Sequence, residues 1–160
     1  MINSAELFTK MALHAWNTQI SSTSELLFSL TDEQLLNEIA PGKNRGVYLL
    51  GHLLVYHDAM NDILGLGNRK HSDLDPAFMH NPDKSDLEMP VISTLKQYWS
   101  DVHQNLSLVF EKMQPDDWLK RHNAMTDEDF AKEPTRNKLS VLMNRTGHVA
   151  YHLGQIRLLK

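Results

Sequence analysis

The chain has 160 residues, 41% apolar and 22% charged, with nine histidines, no cysteine and a formal net charge of −4. That length can bury a continuous core without disulfides or a structural metal. The missing thiols exclude thiolate nucleophiles, cysteine zinc sites and disulfides, leaving imidazoles and carboxylates as the available metal ligands. An acidic balance whose nearest basic run is only Arg69-Lys70-His71 lacks the electrostatic footprint of a nucleic-acid binder.

The N-terminal stretch MINSAELFTKMALHAW places Glu6 and Lys10 among its apolar residues, so no uninterrupted hydrophobic core of a secretory signal is read there. No run approaches the roughly 18 apolar residues a membrane span needs. The expectation is a cytoplasmic protein with no membrane partner.

Four segments carry a helical period and none carries a sustained two-residue alternation, which predicts an all-α fold. The first runs from about Ser4 to Leu30, with Phe8, Met11, Ala12, Ala15, Trp16, Ile20, Leu27 and Leu30 forming its apolar stripe. Thr31-Asp32-Glu33-Gln34 has the form of a capping sequence and predicts a short extra turn before Pro41-Gly42. The second segment, about Asn44 to Leu64, is apolar on nearly every side and is expected to be mostly buried, ending at Gly65-Leu66-Gly67. The third, about Pro90 to Met113, places Ile92, Leu95, Trp99, Val102 and Leu106 on one stripe. The fourth, about Lys138 to the end, has Leu139, Leu142, Val149, Leu153 and Ile156 on one flank, beside a row of Val141, Arg145, His148, His152, Gln155 and Leu159.

Two long polar connections, about Gly67 to Met89 and Gln114 to Asn137, join these segments. Their length suggests a functional covering or a crossover. Together the elements predict a single four-helix bundle over residues 1–160, with long crossover connections that permit a topology other than simple up-down-up-down.

The chemistry resides in the histidines. Only His148 and His152 stand four apart, and nine histidines in a chain this short make one such pair unsurprising on spacing alone. On a helix, however, residues four apart share a face at about 6 Å, within reach of one cation. His52 lies midway along the most apolar helix, where a histidine costs free energy unless both ring nitrogens are satisfied, by a backbone carbonyl or by a metal. Three inward histidines from two helices strengthen the metal reading over that of a core histidine. His57 lies about 140° around the helix from His52, so it cannot share a ligand face and is expected at the surface or in a dimer interface. His14 and His103 approach the interior or stand on a helix surface, and His71, His80 and His122 are expected to be solvated. Val149 follows His148, so the adjacent glutamate of HExxH proteases is missing, as are the Glu-x-x-His motifs of di-iron bundles.

The stretches GVYLLGHLLVYHDAMNDILGLG and RTGHVAYHLGQIRLL together resemble the DinB-like family of bacterial four-helix bundles, a damage-inducible group distinct from the translesion polymerase that shares its name. The resemblance rests on one histidine in the second helix and an H-x-x-x-H pair followed by Gly-Gln in the fourth, which His52, His148 and His152 match. It covers nearly the whole chain in helix order but not the two long connections. It implies a bundle with crossovers, frequent homodimers, and a divalent metal, zinc or nickel foremost, held by those three residues. Relatives in the wider superfamily are transferases and isomerases that use low-molecular-weight thiols such as bacillithiol or mycothiol.

Three neutral imidazoles leave the ion its full charge and an open position, the arrangement of catalytic rather than structural zinc. A water entering there ionises near neutral pH and a thiol deprotonates, so a nucleophile arises without any protein cysteine. Gln155 and Tyr56 are candidates to touch the site or its ligand, and Arg145 is a candidate for an anionic substrate or a thiol carboxylate. Asn17 is a weaker candidate from the first helix. Two readings stay open: a metal-dependent thiol S-transferase or small hydrolase acting on a small molecule, and a non-catalytic stress or interaction module that retains the bundle, with or without a metal.

Overall fold

A computed structural model describes residues 3–160. Its first helix, α1 (Ser4–Ser29), starts where the Asn3 side chain accepts a hydrogen bond from the Glu6 N–H at 2.8 Å, meeting one of the donors a helix start leaves free. The anticipated extra turn is α2 (Asp32–Leu36), closed by a reciprocal capping box between Thr31 and Gln34. The second apolar segment is α3 (Gly46–Asp58), and after a break at Ala59 it continues as the short α4 (Met60–Ile63). A single turn, α5 (Asp75–Phe78), lies in the first long connection. The third long helix is α6 (Ile92–Phe110); the short α7 (Pro115–Trp118) and α8 (Asp127–Lys132) occupy the second connection, and α9 (Lys138–Ile156) closes the chain with a 3₁₀ turn at Arg157–Leu159. The described residues form no strand, only two isolated bridges.

Four long helices, α1, α3, α6 and α9, make the all-α bundle. Their directions follow from who meets whom. Ser4 to Ala15 of α1 share a groove with Leu139 to Thr146 of α9, and Ser22 to Ser29 share one with Arg157 and Lys160, so α1 and α9 run parallel. The start of α3 meets the end of the chain at Gly46 and Leu159, and His52 faces His148 and His152, so α3 is antiparallel to α9. Along α6, Lys96 reaches the Leu30 carbonyl at the end of α1 and the Trp99 indole donates to Ser24, while Asn105 donates to Asn61 just beyond α3. Thus α6 runs parallel to α3, and the order is up-down-down-up.

Parallel neighbours require a connection that returns along the bundle, and residues 64–91 supply it as a strap running antiparallel to α3. Its backbone N–H groups at Lys70 and His71 donate to the buried Asp58 carboxylate. Further along, the Phe78 carbonyl meets His52, the Tyr48 hydroxyl donates to the Asn81 carbonyl at 2.8 Å, and Asp83 takes the Arg45 N–H and guanidinium. Helix α3 is therefore wrapped on all sides. Leu49, Leu50, Leu53, Leu54 and Val55 are fully buried, as the all-round apolar pattern anticipates.

That wrapping overturns one expectation. His57 is fully buried rather than at a surface, because the face of α3 opposite His52 packs against α6 and Trp16 of α1 instead of water. Two connection histidines also depart from solvation: His122 is buried, and His71 stacks on Tyr98 with ring centroids 4.1 Å apart. His80 and His14 are exposed. Conversely, Phe8 and Met11, on the apolar stripe of α1, are 60% and 59% exposed, since no other described residue covers the groove they share with Leu119, Leu139 and Met143.

Candidate metal centre

Two helices and one strap build the site. His52 comes from the middle of α3; His148 and His152, one turn apart, come from α9. The antiparallel pairing brings the three rings to centroid separations of 5.1, 5.0 and 4.7 Å, at interplanar angles of 68°, 76° and 83°. The Nε2 atoms of His52 and His152 each lie 3.1 Å from the Nε2 of His148, and the ligand atoms of all three lie within 4.8 Å of one another.

Proton positions follow from the far side of each ring. His52 Nδ1–H donates to the Phe78 carbonyl at 2.8 Å, which leaves His52 Nε2 a bare lone pair. His152 Nδ1–H donates to Gln155 Oε1 at 2.7 Å, which does the same for His152 Nε2. His148 sits between these two lone pairs and can offer at most one Nε2 proton, while its own Nδ1 is buried without a partner. Three neutral imidazoles so arranged are short of protons to bond one another. A cation would resolve the deficit, and the donor set fits one: two zinc–nitrogen bonds of about 2.0–2.1 Å at a tetrahedral angle span roughly 3.4 Å, close to the separations observed.

Electrostatics keeps the rings in the ligating form. Burial pushes the His52 and His152 imidazoles below their ordinary value, against the opposing hydrogen bonds to Phe78 and Gln155. His148 is pushed down to about 4, by burial first and then by its two neighbours and Arg145. Protons therefore compete weakly for these nitrogens near neutral pH.

The strap's contact with His52 depends on a glycine. A Cβ at Gly51 would overlap the Phe78 ring, so the residue preceding His52 must be glycine for Phe78 to sit where its carbonyl takes the Nδ1 proton. An isolated glycine inside an apolar helix was the available sequence signal for such a close approach. No pattern in the connection marks Phe78 as the residue whose carbonyl orients His52.

The remaining candidates fall on both sides of the site's edge. Gln155 touches His152 directly. The Tyr56 ring lies 4.7 Å from His52 and 5.1 Å from His148, centroid to centroid. Arg145, one turn before His148, stands with its guanidinium carbon 4.9 Å over the Tyr56 ring, a cation–π contact. These residues border an open cleft of about 560 Å³ lined by Tyr56, Asn144, Arg145, Gly147, His148 and Tyr151. Asn17 is exposed on α1, and the buried residue at that level is Trp16, which meets His57 rather than the three ligating candidates.

A second histidine cluster, missed by the spacing argument, lies on the other side of α3. His103 Nδ1–H donates to the Trp99 carbonyl at 2.7 Å, and His57 Nδ1 meets His103 Nε2 at 2.9 Å under the Trp16 and Trp99 rings. Burial pushes His103 down to about 4 and His57 well below its ordinary value. No helix of the described residues is long and apolar enough to cross a membrane.

Comparison with known proteins returns a family model described as the DinB superfamily, matching residues 15–156, a span that holds α3, α6 and α9 whole, α1 from residue 15 onward, and the three converging histidines. No curated protein matches the chain.

Proposed function

The chain belongs to the DinB superfamily, and from that premise we propose that it is a divalent-metal-dependent enzyme, either a thiol-dependent S-transferase or a small hydrolase, with His52, His148 and His152 as the metal ligands. The observation that carries the reading is the proton shortage among the three Nε2 atoms: two are stripped of protons by bonds on the far side of their rings, and all three point at one place. Zinc or nickel suits three neutral imidazoles.

His52, His148 and His152 would hold a divalent ion, which when bound would supply Lewis acidity and lower the pKa of a water or thiol. The chain's own groups do the rest. The Phe78 carbonyl and Gln155 Oε1 hold the Nδ1 protons of His52 and His152 and so fix their tautomers and ring planes. Tyr56 walls the ligating edge of His52 and His148 against free rotation. Among the described residues no carboxylate lines the neighbouring cleft, and a nucleophile supplied by a bound small molecule is in keeping with a chain that has no cysteine.

Purified protein is expected to hold about one divalent ion per chain by elemental analysis, and His52→Ala or His148→Ala to lose it; full retention in both variants removes the proposal. The second reading, a non-catalytic metal-binding bundle, draws support from the absence of any carboxylate base in the cleft. Metal-loaded protein given a low-molecular-weight thiol and a panel of electrophiles tests the transferase: thiol consumption supports it, and silence favours the hydrolase or the non-catalytic bundle. We also propose a homodimer, with Phe8, Met11, Leu119 and Met143 as the surface a second copy would cover. Sedimentation at micromolar concentration checks it, and a monomer in wild type refutes it.

A further inference from the structure

Among the described residues, Arg145 is the one cation bordering the cleft beside the three histidines, and its bonding is incomplete. Arg45, Arg69, Arg121 and Arg136 each pair with a carboxylate. Arg145, although only partly exposed, has no carboxylate within 4.0 Å among the described residues. Its guanidinium gives one side-chain hydrogen bond, from Nη1 to Asn144 Oδ1 at 3.1 Å, and its Nε–H is buried with no acceptor. A guanidinium carries five donors in a planar fork, so most of this one's capacity meets no acceptor among the described residues. Leaving the Nε–H buried and unsatisfied is unfavourable, and the unfavourable energy is recovered when an acceptor arrives.

The surroundings fit a particular acceptor. The guanidinium carbon stands over Tyr56 at cation–π distance, and the same Tyr56 ring packs against His52 and His148, so one aromatic shelf leads from the charge to the three histidines. Among the described residues no acidic side chain lines the cleft, and a Cβ at Gly147 would meet nothing within 4 Å, so the space beside Arg145 and His148 is open. Burial disfavours the charged form of Arg145, which sharpens its demand for a counter-anion.

We propose that Arg145 is the carboxylate-binding residue of this site, and that its substrate class is a small molecule bearing a carboxylate, gripped by the guanidinium fork while its reactive end is presented to the three histidines. This rests on the reading of the histidines as the reaction centre, but the subsite itself is a property of the metal-free chain and can be tested there.

The test uses benzoate and its uncharged isostere benzamide, titrated into metal-free wild type, Arg145→Gln and Arg145→Lys while amide chemical shifts and the Arg145 Nε–H signal are followed. Wild type should bind benzoate more tightly than benzamide by at least about tenfold, the worth of one charge-assisted hydrogen bond. Arg145→Gln should erase the preference, and Arg145→Lys should keep only part of it, because a point charge replaces the fork. Equal affinity for the two probes in wild type, no binding of either, or an unchanged preference in both variants overturns the proposal. The metal content of the same preparations, measured before stripping, reads the metal proposal separately. Protein that never held metal but still prefers benzoate through Arg145 fails the one and retains the other. Thermal melts of the two variants identify any loss that comes from unfolding.

Discussion

Two histidine clusters lie back to back across α3, and their difference separates a site from a core. In the pair His57–His103, the protons suffice for the bonds the rings make: the Trp99 carbonyl takes one and His103 Nε2 takes another, indole rings close over both, and only His57 Nε2 is buried without a partner. In the trio the same accounting leaves lone pairs facing lone pairs, and the group borders an open cleft. Both clusters have depressed imidazole pKa values for the same first reason, burial. A shifted pKa therefore does not distinguish them. What does is whether the protons suffice for the bonds and whether a ligand can enter.

The comparison breaks most sharply by truncation on either side. Loss of a trio histidine should abolish metal retention with the fold intact, whereas His57→Ala should leave metal content near that of wild type and destabilise the fold by roughly 2–4 kcal/mol. That penalty combines a cavity beneath Trp16 and Trp99 with an acceptor on His103 left without its donor. Urea unfolding alongside elemental analysis measures both quantities. Metal loss in His57→Ala at wild-type stability would show that the pair belongs to the site.

A subtler perturbation enters through Gly51, which lies against the trio's outer support but touches no ligating atom. Gly51→Ala should push Phe78 off its seat, loosen the carbonyl's hold on His52 Nδ1–H, and weaken metal affinity by about 10–100-fold. Competition with a chromogenic chelator reads the affinity. Unchanged affinity would mean that the strap packs against α3 without orienting its histidine.

Much of this architecture is legible in the residues. Periodicity alone places α1, α6 and α9 close to their observed ends, and the Thr31–Gln34 capping box announces α2 because its chemistry is local. The convergence of His52 with His148 and His152 follows from facing rows on two helices together with the family resemblance. His57 was misplaced for a physical reason: a helix that is apolar on every side has no solvent face, so an angle of 140° from the site leads to another buried interface rather than to water. The role of Phe78 was hidden because a backbone carbonyl carries no sequence signature; only the path of the strap along α3 brings it to His52. The exposed half of the α1 stripe was likewise invisible, since an apolar period reports which side chains avoid water but not whether this chain supplies the cover.

The smallest expected effect tests the trio's other support. Gln155 Oε1 is a neutral acceptor for His152 Nδ1–H, and the Gln155 amide in turn reaches the Tyr151 hydroxyl at 3.2 Å. Gln155→Leu removes the acceptor but not the ligand, so metal affinity should fall by about tenfold rather than vanish. Gln155→Glu offers His152 a carboxylate, which strengthens the hydrogen bond and raises the basicity of Nε2, so affinity should hold or rise. The two variants differ little in size, and opposite directions of change in chelator competition would assign the effect to the polarity of the Nδ1 bond rather than to packing. Equal losses in both would mean that Gln155 only fills space beside His152, and that the tautomer of that ring is set by the metal alone.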